Sequence, residues 1–171
     1  VDMTDEMIAA AQQNAARAGF DNIDVRRGLI EDLPVEDASV DWVISNCVIN
    51  LSPDKPAVFR EISRVMKPGA RFSISDIVVG ELPDWIRESA AAWSACVAGA
   101  ISEEAYLQGL RDVGLVDVAV TERLVYDACQ LQAILSEDIP GLDLDRDQIE
   151  ALLQEYSGEV WSAKFSGRKP D

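Results

Sequence analysis

An α/β fold built on a doubly wound, largely parallel sheet is predicted by three observations. Strand-like and helix-like stretches alternate through about the first 120 of the 171 residues, the pattern of parallel strands joined by crossover helices. The apolar run at residues 40–44, broken only by Asp41, turns polar at Ser45-Asn46 and then puts a thiol at Cys47. That is how a buried strand reaches the end of an open sheet where ligands bind. Two late apolar stretches, one around Val116, Val118, Val120 and Leu124 and one at residues 160–165, fit an antiparallel edge added to the sheet, with an antiparallel C-terminal strand.

The elements follow in order. Thr4 is expected to cap a helix that carries Asp5 and Glu6 in its first turn, where the dipole favours acids, and that Gly19 stops. Residues 23–26 alternate like a strand, which Gly28 ends. A loop at 29–34 and a polar turn at 35–39 lead to the strand at 40–44. Ser52-Pro53-Asp54 supplies a cap and an early proline for a helix over about 53–66, with Val58, Ile62, Val65 and Met66 on one face. Lys67-Pro68-Gly69 should terminate it, and residues 71–79 read as the next strand. A helical region from Leu82-Pro83 carries Trp85, Ile86, Ala90 and Trp93 and runs on into the small-residue string Cys96 to Ala100. Ser102-Glu103-Glu104 opens a helix that Gly114 closes, and residues 128–157 read as mostly helical, broken at Ile139-Pro140-Gly141.

Composition excludes several classes of function. Thirty-one acids against 15 bases give a formal charge of −16, which opposes nucleic acid and anionic membranes as partners. There is no histidine, so histidine triads, histidine metal ligands and imidazole acid–base chemistry are ruled out. Three cysteines, Cys47, Cys96 and Cys129, have no framework spacing and do not suggest a disulfide-stapled secreted domain. No window approaches the roughly 18 uninterrupted apolar residues of a membrane span, and no signal peptide opens the sequence. A cytoplasmic location is the expectation.

Few residues are left to carry chemistry, and each has two readings. Asp2, before a helix, is either an acceptor for ribose hydroxyls or a helix-start acid. Ile30 and Glu31 either clamp an adenine and accept its amino hydrogens or form a solvated loop. Cys47 and Cys96 are either small apolar fillers or soft thiolates for a thiophilic centre. Two thiols cannot close a zinc site, which needs four ligands, and Cys129 has no special surroundings. Trp85 and Trp93 read as core rather than a cation cage. No G-x-G-x-x-G turn occurs.

Four strings, in order, resemble the arsenite methyltransferase family, class I enzymes that use S-adenosylmethionine. V-D-M-T at 1–4 is similar to its ribose-binding turn and L-I-E-D-L-P at 29–34 to its adenine loop. S-N-C-V-I-N-L-S-P-D-K at 45–55 and C-V-A-G-A at 96–100 are similar to its two arsenic-binding thiol segments. The resemblance covers about residues 1–125 and implies a Rossmann-like methyltransferase sheet. It implies S-adenosylmethionine held by Asp2 and Met3 at the ribose, by Ile30 and Glu31 at the adenine and by Asn46 at the methionine side, and trivalent arsenic bound by Cys47 and Cys96. An external thiol such as glutathione is the implied co-ligand. Against the family's pattern, the chain looks like a single incomplete methyltransferase domain lacking the first strand, the glycine-rich turn and the upstream cysteines. Residues 1–80 would be its nucleotide-binding half, and 81–171 would hold the thiol-bearing helices and C-terminal strands. Without that first strand, the free edge of residues 40–44 should be covered by another chain, as in a homodimer, or by a displaced strand from 23–28. The competing expectations are a methyltransferase for another small molecule, and a non-catalytic thiol- or partner-binding domain.

Overall fold

The structure, a computed structural model, describes residues 1–80, 97, 99–127, 129, 130, 154 and 158–171. The readings of Trp85, Trp93 and Cys96, and most of the expected helix at 128–157, lie outside the described residues. Among the described residues the strands are β1 (Val40–Asn46), β2 (Met66–Val79), β3 (Val116–Val125) and β4 (Val160–Arg168). The helices are α1 (Asp5–Ala18), α2 (Lys55–Val65) and α3 (Glu103–Asp112), with a single 3₁₀ turn at Ile49–Leu51 between β1 and α2.

The sheet runs in the order β1-β2-β4-β3. β1 and β2 are parallel, joined by α2, and β4 is antiparallel to both β2 and β3. The α/β class and the antiparallel C-terminal strand are as expected. The late pair does form one side of the sheet, but its order is inverted: β4 is inserted beside β2, and β3 takes the edge.

Capping explains the helix ends. Asp54 accepts the Ala57 N–H at 2.9 Å to start α2, and Ser102 accepts that of Ala105 at 3.2 Å to start α3. Gly19 closes α1 with φ +74°, a left-handed conformation that suits glycine. Thr4 precedes α1, but its side chain makes no capping bond to the helix; its hydroxyl donates to Asp2 instead.

The core lies between the sheet and helices α2 and α3. Val58, Phe59 and Ile62 of α2 and Tyr106 and Leu110 of α3 pack on Phe72, Ile74 and Val78 of β2 and on Ala163 and Phe165 of β4. Tyr106 is its centre: it stacks on Phe165 with ring centroids 4.2 Å apart and meets Phe59 edge-on at 5.2 Å. Gly109 has no side chain because a Cβ there would run into the Phe59 ring, so the glycine sets how closely α3 approaches α2.

Two expectations fail, at residues 23–28 and at residues 67–69. Residues 23–28 form no strand; alternation there finds no ladder, only an isolated parallel bridge between Arg27 and Asp2. They therefore do not cover the edge of β1, which has no strand partner on its outer side among the described residues. Trp42 and Ile44 are 54% and 79% exposed there. A gap of about 490 Å³, lined by Val1, Asp24, Arg26, Val35, Glu36, Ser39 and Val40, lies between the two segments. The second failure is at Lys67-Pro68-Gly69, which lies within β2. Val40 pairs with Met66 and Trp42 with Arg71, so the extra residues bulge out of the ladder, with Gly69 at φ +77°.

Candidate functional site

The site expected from the sequence lies where β1 and β2 end. Asn46 is the last residue of β1, paired with Ser75, and is exposed. Cys47 follows, exposed, with its N–H donated to the Ser75 carbonyl at 2.8 Å. Its φ is +52°, a left-handed backbone carried by a residue with a β-carbon. That kink stops the strand and starts the 3₁₀ turn. The residue is open to solvent, but its thiol is partly desolvated against the strand ends. Burial first, and then the charge of Asp76, push the thiol above its ordinary range.

The other expected residues are at the N-terminal segment and the loop after it. The Asp2 carboxylate accepts the Thr4 N–H at 2.8 Å and the Thr4 hydroxyl at 2.7 Å, and these bonds hold it below the usual carboxylate range. Its own N–H donates to the Arg26 carbonyl, and its carbonyl accepts the Gly28 N–H at 3.0 Å, which docks the turn onto the 26–28 segment. Met3 is 63% exposed. Ile30 is half-buried against the core, and Glu31, also half-buried, accepts a hydrogen bond from the Ser52 hydroxyl. Ser52 thus links the 29–34 loop to the turn that follows Cys47.

Cys96 lies outside the described residues, so its distance from Cys47 is not defined; Val97 and Ala100 beside it are buried. Cys129 is exposed. Among the described residues, no cluster of three acidic or cysteine side chains can hold a metal ion, and no helix is long and apolar enough to cross a membrane.

A buried polar group behind Cys47 escaped the sequence reading. Asp76 of β2, Asn50 and Tyr106 are each fully buried, and Lys55 is nearly so. Asp76 accepts the Ile77 N–H at 3.0 Å, the Asn50 N–H and the Tyr106 hydroxyl at 3.3 Å. Lys55 Nζ donates to the carbonyls of Asn50 and Ser52 at 3.3 and 3.1 Å. In the sequence Asp76 is one polar residue in the string Ser73-Ile74-Ser75-Asp76, and only a charge placed at a strand's carboxyl end hints at more.

Burial pushes the Asp76 carboxyl up to about 6, against the pull of its hydrogen bonds and the Lys55 charge. The folded protein therefore holds this proton more tightly than the unfolded chain, whose value is 3.8. The stability it contributes is complete below about 3.8 and is lost as pH rises through about 6. Asp76→Asn is expected to remove that slope and to raise stability at pH 7–8 by about 1–3 kcal/mol. Urea unfolding of both proteins at several pH values between 4 and 8 measures it; parallel profiles would show that Asp76 does not titrate in this window.

A family model for a methyltransferase domain matches residues 1–114. The arsenite methyltransferase of Halobacterium salinarum is 38% identical over 171 residues, covering 99% of this chain and 39% of that protein. The human arsenite methyltransferase is 37% identical over 111 residues, covering 59% of this chain and 30% of that protein. Among solved structures, an arsenic(III) S-adenosylmethionine methyltransferase from Chlamydomonas reinhardtii superposes with a TM-score of 0.71 at 31% identity, covering 99% of this chain and 54% of that one. The chain therefore spans about two fifths of the length of the Halobacterium relative. It belongs to the methyltransferase domain family, and over nearly its whole length it is similar to arsenite methyltransferases.

Proposed function

We propose that this chain is the part of an arsenite methyltransferase that grips the nucleoside of S-adenosylmethionine and presents thiols to trivalent arsenic. The observation that carries the reading is Cys47, a kinked and exposed cysteine at the carboxyl end of β1 inside the string S-N-C-V-I-N-L-S-P-D-K. Residues 1–80 form the nucleotide-binding half, and 81–171 carry the second thiol segment.

The residues present suit the cofactor. Asp2 is held ionised by Thr4 and is open enough to accept ribose hydroxyls. Ile30 offers an apolar surface for adenine, Glu31 an acceptor for its amino group, and Met3 and Asn46 flank the ribose and the methionine end. When bound, S-adenosylmethionine supplies an electrophilic methyl group on a sulfonium. The chain's own work is positioning. Cys47 and Cys96 each replace one oxygen or thiol on the arsenic, and the third valence is left for an external thiol such as glutathione. Arsenic keeps its lone pair, which is the nucleophile, so no base has to remove a proton from it; alignment and exclusion of water are what the site must provide. A histidine-free chain suits that chemistry.

Thiols that must stay reduced fit a cytoplasmic location. The uncovered edge of β1, with Trp42 and Ile44 outward, suits pairing with another chain, a second copy being the simplest, and sedimentation would read it. The function is tested by incubating the full chain with methyl-labelled S-adenosylmethionine, arsenite and glutathione. Label should enter arsenic, and Cys47→Ser should lower the rate about 100-fold or more, as expected when a positioned reactant is lost. Transfer that ignores arsenite would point to another small-molecule acceptor and overturn the reading.

A further inference from the structure

The backbone at Cys47 is left-handed, and for a residue with a β-carbon that conformation persists only where the surroundings over-determine it. The surroundings here are specific. On the near side, the Cys47 N–H is tied to Ser75 at 2.8 Å. On the far side, the turn closes through Leu51 N–H to the Val48 carbonyl and Ser52 N–H to the Ile49 carbonyl. Asn50, the middle of that turn, is fully buried; its N–H goes to the Asp76 carboxylate and its Nδ2 donates to the Ile77 carbonyl at 2.6 Å. Asp76 is held in turn by the Tyr106 hydroxyl, and Tyr106 is fixed between Phe59 and Phe165 in the core. A set of contacts therefore runs from the buried aromatic cluster of the core to the turn that Cys47 opens, just after β1.

We propose that Asp76 and Tyr106 are positioning residues for the Cys47 thiol, anchoring the turn through Asn50 so that the sulfur is held where a second protein thiol can share one arsenic atom with it. This rests on the reading of Cys47 as an arsenic-binding thiol. Chelation is sensitive to such anchoring, because a bidentate ligand gains affinity only when its two donors are pre-set relative to one another. A reaction needing one sulfur alone is not. Among the described residues, the titratable and charged groups acting around Asp76 are Cys47, Tyr106 and Lys55, and Tyr126 also feels the Cys47 charge.

Two reagents separate these roles. Phenylarsine oxide takes two thiols, whereas iodoacetamide takes one in any orientation. In the full chain, Asp76→Ala should weaken phenylarsine oxide binding about tenfold or more, because Asn50 loses its acceptor. Asp76→Asn, whose carbonyl oxygen still accepts, should restore affinity to within about threefold of wild type. Tyr106→Phe, which removes only the hydroxyl, should cost about threefold or more, and it carries the test if Asp76→Ala does not fold. Alkylation of Cys47 by iodoacetamide, followed by mass spectrometry, should not slow in any of them; removing the nearby charge should speed it in both Asp76 variants. Equal arsenical loss in the alanine and asparagine variants, or none in alanine and phenylalanine, overturns the proposal. If wild type and Cys47→Ser bind phenylarsine oxide alike, the arsenic reading itself is what fails, and the positioning claim falls with it.

Discussion

Phe165→Ala is expected to destabilise the folded chain by about 3–5 kcal/mol, a large part of what a domain of this size has. Phe165 is fully buried in β4, opposite Ile74 on one side and Val120 on the other. Its ring lies against Tyr106 at 4.2 Å with planes only 6° apart, so truncation leaves a cavity that the flanking strands cannot close. The loss reaches beyond stability, because the Tyr106 hydroxyl donates to Asp76 behind Cys47. Its neighbour Lys164 is the control. That side chain pairs with Glu122 at 3.2 Å on an exposed face, and Lys164→Ala should shift stability by no more than about 0.5 kcal/mol. Urea midpoints of the two variants decide it. A cost below about 1 kcal/mol for Phe165→Ala would mean that the aromatic stack does not hold the C-terminal strand in place.

That strand shows what a sequence makes legible. Its apolar stretch announces β4, as the apolar run announces β1, and Gly19, Ser102 and Gly114 mark helix ends that the structure also has. All of these are local signals. Strand order is not local: β4 pairs with β2 across some 90 residues of chain, and nothing in its pattern says that it lies inside β3 rather than outside it. Lys67-Pro68-Gly69 reads as a full stop because the pattern omits the partner strand, whose register absorbs the extra residues as a bulge. Residues 23–26 fail in the opposite way, alternating correctly with no ladder beside them. At the site, Cys47 and Asn46 stand at the end of β1 because side-chain character changes there. Asp76, Asn50 and Tyr106 escape notice because their meaning lies in contacts 26 and 30 positions apart, which no periodicity encodes. Glu31 is a mixed case: it reads as an adenine acceptor, and the structure shows it also holding Ser52.

The thiols give the sharpest expected result. The wild-type chain should bind arsenite or a monoaryl arsenical about one to one, and Cys47→Ser and Cys96→Ser should each weaken binding by about 100-fold or more. The two losses should be alike, and the double variant should lose little further, because a chelate is gone once either donor is removed. Cys129→Ser should change affinity by less than about twofold; that cysteine is exposed and lies in neither of the two strings that resemble arsenic-binding segments. The size follows from chemistry. A hydroxyl is a hard donor and does not replace sulfur on a soft centre, so serine keeps the shape and removes the bond. The raised Cys47 thiol keeps affinity flat around neutrality: its proton departs with an arsenic hydroxyl as water, so no net proton is released and wild-type affinity should change by less than about twofold between about pH 6 and 8. Titrations followed by calorimetry, with thiols counted before and after, measure all of these. Full affinity in either single variant, or equal loss in Cys129→Ser, would show that Cys47 and Cys96 do not share an arsenic atom.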